Sequence, residues 1–388
     1  MAGALEFVRK YGDKSFTELP FCEADNAALC GMFYMPIEKA APNGIDDEPV
    51  SFAEVAEKMY ELNGGRHVAV GLLLLKGISV EMMEMAHSRR YSEIKVVYAK
   101  EVFREEPAVQ FNAATLLLPD GKIVILFRGT DDTFTGWLED LDIYTRKGIP
   151  SHQLAVDYIN EVADKFDGDI IICGHSKGGN VALYGALYCG EKAKSRLQAV
   201  YNNDGPGFHS FDYINSKEYK ELLPIYKHYI PQSSFVGVML AHDDDYTVVK
   251  SSRILGAAQH DIATWQIEGT DFVRKDDLTL LGKVTDLTLM NIILKANDEQ
   301  IQAIEKVLCA VVSGTGQTCL LDFAKNAPSA IKGAVKTWKG IDTVTKDVFK
   351  DAFSGSLRII KTAVKVVKED ALPAVEKRAS DLAAVLMA

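Results

Sequence analysis

The stretch "IIICGHSKGGNVALYGAL", residues 170–187, sets one serine among glycines, directly after a β-branched run and directly before a helical pattern. Residues 170–173 read as a strand and residues 179–188 as a helix. Between them lies Gly174-His175-Ser176-Lys177-Gly178, followed by Gly179. A serine held on a tight strand-to-helix turn has strained backbone angles. Its neighbours must be small so that strand and helix can approach. Such a turn lifts the Ser176 hydroxyl above the sheet edge, beside the positive end of the following helix. Ser176 is therefore the candidate nucleophile, and the other sites are sought around it.

A serine hydroxyl is a poor nucleophile without a base. On this kind of turn the partners follow in the chain order serine, acid, histidine. The histidines after Ser176 are His209, His228, His242 and His260. His228 falls inside a predicted strand and reads as structural. His209 stands close to the strand end "NNDGPGF", where it would line the site. His260, in "GAAQHDIATW", falls in a loop after the strand "YTVVKS" and is the candidate base. The acid is left between two places. Asp204 is preferred, because Gly205-Pro206-Gly207 behind it would fix the carboxylate. The cluster Asp243, Asp244 and Asp245 in "AHDDDY" is the alternative, and three adjacent aspartates more often make a solvated turn. Asp261 adjoins His260 in sequence and is a poor orienting partner.

Acyl chemistry also needs backbone N–H groups aimed at the oxygen that gains charge. One expected donor is Lys177, the residue after the nucleophile. The other is Thr130, from the loop after the strand in "IVILFRGTDDTFTGWLEDLD", where Gly129 allows the turn. Arg128 is expected to brace this loop by pairing with Asp140 or Asp142.

The rest of the chain places these residues on an α/β scaffold. "SFAEVAEKMYEL" reads as a helix with Ser51 as N-cap and Glu54 three residues on. "ATLLLPDGKIVILF" reads as two strands joined at Pro119-Asp120-Gly121. "SHQLAVDYINEVADKF" puts Leu154, Ala155, Tyr158, Ile159 and Val162 on one helical face. A hairpin leading into alternating strands and helices predicts a mostly parallel sheet with helices on both faces. Past about residue 290 the strand patterns stop. The expected division is a catalytic domain over residues 1–292, with a helical N-terminal segment, and an all-helical region over residues 293–388.

Composition excludes several function classes. The chain has 388 residues and a net charge of −11, which argues against a nucleic-acid binder. Its six cysteines are widely spread, without a CxxC pair beside histidines. They read as buried free thiols rather than a zinc site, and neither metal nor organic cofactor is expected. The N-terminus has no basic segment followed by an apolar one. The longest apolar run, residues 67–80, is broken by Lys76 and too short to span a bilayer. The expected location is cytoplasmic.

"ILFRGT", a downstream Trp137, and "GHSKGGNVALYGA" together resemble the class 3 lipase pattern within the α/β-hydrolases. With "FTELPFCEADN", "DGPGF", "IPQSSFVGVML" and "QHDIATWQI" added, residues 15–275 more closely resemble a bacterial lipase-like family of unknown function. The resemblance implies an α/β-hydrolase fold, Ser176 as nucleophile, His260 as base and Thr130 as oxyanion donor. It supports Asp204, because pancreatic-type lipases also place their acid after the strand that follows the nucleophile helix. Ordinary class 3 lipases carry an Asp-x-Val-Pro acid motif, whereas the equivalent "IPQSSFVG" has no carboxylate.

The expected function is hydrolysis of a carboxylic ester, with an ester or lipid-like small molecule as substrate. The alternatives are a thioesterase or amidase using the same residues, or a binding protein on a retired hydrolase fold. The sequence leaves oligomeric state open. "LRIIKTAVKVVKED", residues 357–370, has an apolar stripe and a lysine face. Packing on the chain's own body is the preferred reading, with docking on an anionic membrane as the alternative.

Overall fold

The computed structural model describes residues 3–68, 77–131, 133–145, 148–243, 245–253, 256–279, 282–283, 303 and 336–348. The main sheet has eight strands: β1 (Val50–Ser51), β2 (Lys95–Arg104), β3 (Val109–Leu117), β4 (Ile123–Phe127), β5 (Ile170–His175), β6 (Leu197–Asn203), β7 (Tyr226–Pro231) and β8 (Thr247–Val249). They lie side by side in sequence order. β1 to β4 pair antiparallel, and β4 to β8 pair parallel. A small ribbon of β9 (Ile267–Glu268) and β10 (Asp271–Phe272) follows. The fold is α/β with a mostly parallel sheet.

Four helices precede or follow β1: α1 (Ala4–Tyr11), α2 (Glu23–Met32), α3 (Phe52–Leu62) and α4 (Ile78–Ala86), with a short α5 (Arg89–Ser92) behind them. The crossovers carry α6 (Phe134–Thr145), α7 (Pro150–Lys165), α8 (Lys177–Tyr188), α9 (Glu191–Lys194) and α10 (Lys217–Leu222). A short α11 (Gly256–Gln259) comes after β8. The local signals worked as expected. Ser51 accepts from the Glu54 N–H at 3.2 Å, while the Glu54 carboxylate accepts from the Ser51 N–H at 2.7 Å. Ala155, Tyr158, Ile159 and Val162 are buried, and Leu154 packs half-buried beside them. Gly121, with φ of 89°, closes the β3–β4 turn.

The strand order decides where the helices go. Parallel strands added in one direction through right-handed crossovers leave every connecting helix on one face of the sheet. Ile123, Ile125, Phe127, Ile170 and Ile172 accordingly point into one core with α7 and α8. Their alternate neighbours Val124, Leu126, Ile171 and Cys173 point into a second core. That second core is closed by residues of α1, α2, α3 and α4. Among the described residues, the N-terminal helices, with Ile262, Trp265, Ile267 and Phe272 from beyond β8, cover this second face, as the period-two alternation of buried strands demands. Each fully buried Val, Leu or Ile contributes roughly 1.5–3 kcal/mol, so both layers are bound to the sheet.

The four described cysteines, Cys22, Cys30, Cys173 and Cys189, are free thiols. Among the described residues no helix is long and apolar enough to cross a membrane. Residues 336–340 and 343–348 are helical. The boundary expected at residue 292, the lysine-rich helix expected at 357–370, and Cys309 and Cys319 lie outside the described residues.

Candidate active site

β5 runs straight into His175, and the chain turns sharply at Ser176. Its φ of 58° and ψ of −133° lie in a region rarely taken by a residue with a side chain, and α8 starts at Lys177. Such angles cost of order 1–3 kcal/mol and persist only where the surroundings impose them. Here the Ser176 N–H donates to the Asn203 carbonyl at 3.0 Å. A Cβ on Gly174 would strike the Gly178 carbonyl, and one on Gly178 would strike the Phe127 carbonyl. The glycines are needed because strand β5, helix α8 and the end of β4 meet backbone to backbone. Ser176 itself is half-buried.

Asp204 directly follows β6 and also has a positive φ, 53°. Its carboxylate is fully buried. Oδ2 accepts from His260 Nδ1 at 2.7 Å and from the Ser234 hydroxyl at 2.8 Å, and Oδ1 accepts from the Gly237 N–H at 3.0 Å. An ionised carboxylate only accepts, so the His260 proton sits on Nδ1, leaving Nε2 with the lone pair a general base needs. "IPQSSFVG", which has no acid of its own, therefore serves by wrapping the acid of the neighbouring strand. His260 is held from both sides in sequence. Gln259 accepts from the Ser233 N–H through Oε1 at 2.8 Å and from Trp265 Nε1 through its carbonyl at 2.8 Å. Asp261 caps the next turn by accepting from the Ala263 N–H at 3.0 Å.

Asp243, among the alternative acids, is engaged elsewhere. Asp243 accepts from the Tyr219 hydroxyl at 2.5 Å, and the Asp245 N–H reaches Asp243 at 3.3 Å. Asp244 lies outside the described residues. His228 is buried in β7, in register with Asn202, and burial lowers its pKa to about 3. His242 bonds the Leu240 carbonyl through Nδ1 at 2.9 Å. His209 stacks edge-on to Tyr213, 5.7 Å between centroids.

Across the serine from Asp204 lies the loop after β4. A Cβ on Gly129 would come within 3.0 Å of Ser176 Cβ, so this loop abuts Ser176. The Thr130 hydroxyl donates to both oxygens of Asp140, at 2.8 and 2.6 Å. Burial raises the Asp140 pKa to about 6, against the pull of Lys177 and of the Thr130 hydroxyl. The Lys177 side chain dives into the core, where its ammonium donates to Gln110 O at 2.7 Å, Gln110 Oε1 at 2.8 Å and Glu139 Oε2 at 2.8 Å. All three donors of a buried cation are thereby met. The pair ties α8, which begins right after Ser176, to α6, which carries Asp140.

Arg128 departs from expectation. Its guanidinium pairs with Glu38, Nη2 to Oε2 3.0 Å, and covers the Phe33 ring rather than reaching Asp140 or Asp142. The reason is the pleat. Phe127 points into the α7–α8 core, so Arg128 points to the opposite, N-terminal layer.

Several contacting residues escaped the sequence reading. Ser234 and Gly237 lie inside "IPQSSFVGVML", which carries the family resemblance and lacks an acid, but neither residue stands out by itself. His175 lies within the nucleophile motif itself, but upstream of the serine. Asn26 ends the stretch "FTELPFCEADN" without a role read for it, and Tyr34 carried no local signal. Among the described residues, no three His, Cys, Asp or Glu side chains form a metal-ligand cluster.

Neither the curated proteins nor the solved structures return a match for this chain. A sequence model of the Mbeg1-like family matches residues 85–309, more than half of the 388 residues. The match spans Ser176, Asp204, His260 and Thr130, and the chain belongs to the Mbeg1-like family, a lipase-like family of α/β proteins.

Proposed function

We propose that this chain is a serine hydrolase acting on carboxylic esters of small or lipid-like molecules. The observation that carries the reading is the buried Asp204 carboxylate on His260 Nδ1 at 2.7 Å, in a chain whose Ser176 holds a strained positive φ. In this reading Ser176 Oγ attacks the ester carbonyl while His260 Nε2 takes its proton. The imidazolium is stabilised by Asp204, which holds the tautomer and is not itself protonated. The carbonyl oxygen gains charge and is met by the N–H groups of Thr130 and Lys177, beside the positive end of α8. His260 returns the proton to the leaving alkoxide, giving an acyl group on Ser176. Water, deprotonated by the same nitrogen, releases the acid.

A fluorophosphonate probe phosphonylates an activated serine, and the Ser176→Ala control assigns the label to that residue. The probe is expected to label the full chain and to spare Ser176→Ala. Equal labelling of the two proteins, or none of either, defeats the proposal. A panel of p-nitrophenyl esters set against thioester and amide substrates fixes the acyl class, and a clear amide preference would overturn the ester assignment.

A further inference from the structure

The family match begins at residue 85, yet α2 lies against the nucleophile strand from outside it. All ten residues of α2 are buried, although Glu23, Asp25 and Asn26 are polar. Burying polar groups costs stability unless each finds a partner. Glu23 accepts from the Tyr229 hydroxyl at 2.7 Å and the Phe272 N–H at 2.8 Å, and pairs with Arg274. Asp25 takes Arg90 and the Tyr91 hydroxyl, at 2.7 and 2.6 Å. These anchors fix the helix on the sheet. Asn26 exchanges amide bonds with Asn203, at 2.8 and 2.9 Å, and Asn203 also donates to the Gly174 carbonyl at 2.9 Å. Asn203 is the residue whose carbonyl receives the Ser176 N–H and whose successor is Asp204.

Just past the helix end, the Tyr34 hydroxyl lies 2.7 Å from His175 Nδ1. His175 Nε2 lies 2.7 Å from the backbone carbonyl of His260. A carbonyl can only accept, so Nε2 carries the proton, Nδ1 is the acceptor, and Tyr34 is its donor. The His175 ring is buried and sits 4.6 Å, centroid to centroid, from the His260 ring. Burial, with the nearby His260, holds His175 well below the ordinary histidine pKa. It therefore stays neutral next to a ring that must become a cation during turnover.

We infer that Tyr34 and His175 are positioning residues for the reaction, together fixing the backbone of His260 while Asp204 fixes its ring, so that the N-terminal helical layer is a working part of the site. This rests on the serine-hydrolase reading. One anchor holds the His260 ring and the other its backbone, which together restrain how far the imidazole can shift. Loss of the second lets Nε2 drift from Ser176, and a displacement of about 1 Å costs on the order of a hundredfold in rate.

The test uses the full chain with a chromogenic ester and the fluorophosphonate inactivation rate. Tyr34→Phe is expected to lower kcat about 10-fold with KM within about twofold, because the buried Nδ1 acceptor then loses the Tyr34 donor. His175→Phe is expected to lower kcat about 100-fold. His175→Gln, whose amide nitrogen can stand in for Nε2, is expected to recover most of that loss. The low-field proton resonance of His260 Nδ1–H should broaden or move in Tyr34→Phe. If Ser176 is labelled and all three variants react at the unmodified rate, this inference falls while the hydrolase reading stands. If Ser176 is not labelled at all, the hydrolase reading has failed first. Should the variants lose their fold, nitrogen-15 shifts of His175 in the unmodified protein decide at pH 7: protonated Nε2 with bare Nδ1 supports the inference, and the opposite tautomer overturns it.

Discussion

On one side of Ser176, the Asp204 carboxylate is fully buried and takes hydrogen bonds from Ser234, Gly237 and His260. On the other, Asp140 is half-buried and takes two bonds from the single hydroxyl of Thr130. The first acid is gripped by a backbone N–H and two side chains drawn from two separate stretches of chain. The second rests on one flexible rotor and on charges set by the Lys177–Glu139 pair below it. A group gripped from several directions keeps its geometry when one contact weakens. A group held through one hydroxyl depends on its own protonation state. The two halves of the site therefore answer to different variables, the histidine side to packing and the loop side to pH.

Three substitutions break or sharpen that contrast, from the largest effect down. Asp204→Asn leaves the size and most contacts in place but cannot hold the Nδ1–H tautomer, so kcat should fall roughly 10³- to 10⁴-fold. Steady-state kinetics on an activated ester measures it, and a loss under tenfold would remove Asp204 from its role. Asp140→Asn should cost about 10-fold in kcat/KM, but only where Asp140 is ionised. Its ordinary value is 3.8 and burial raises it to about 6. Between these the folded protein keeps a proton that the unfolded chain releases, so the group lowers stability as pH rises through that window. The carboxylate that orders Thr130 exists only above it. The ratio of unmodified to Asp140→Asn kcat/KM should therefore lie near one at pH 5 and climb to its plateau above pH 7. A ratio independent of pH would separate Asp140 from the loop. Asp243→Asn should change kcat/KM less than about twofold, because Asp243 is spent on Tyr219 rather than on His260. An effect approaching that of Asp204→Asn would reverse the choice of acid.

Much of this was legible from the amino acids. Ser176, its glycines and the flanking strand and helix form a local pattern, because a backbone that must touch itself within a few residues leaves a fixed spacing. The Ser51–Glu54 cap and the stripe of α7 were readable for the same reason. Asp204 could be preferred but not separated from Asp243, Asp244 and Asp245 along the chain. The register of β6 against β7 and the path of the Ser233–Gly237 stretch bring Asp204 to His260. Arg128 was misassigned because its neighbours in sequence, Asp140 and Asp142, follow on an element packed on the opposite face of the sheet from its side chain.

By itself the sequence determined a parallel α/β scaffold, a strained serine and the histidine and acid candidates, since periodicity and turn chemistry are local properties. Only the tertiary structure decided which carboxylate meets His260 and that Tyr34, 141 residues before His175, completes the wall behind it. Hydrogen bonds across such separations arise from how whole layers pack, and no short stretch of residues encodes them.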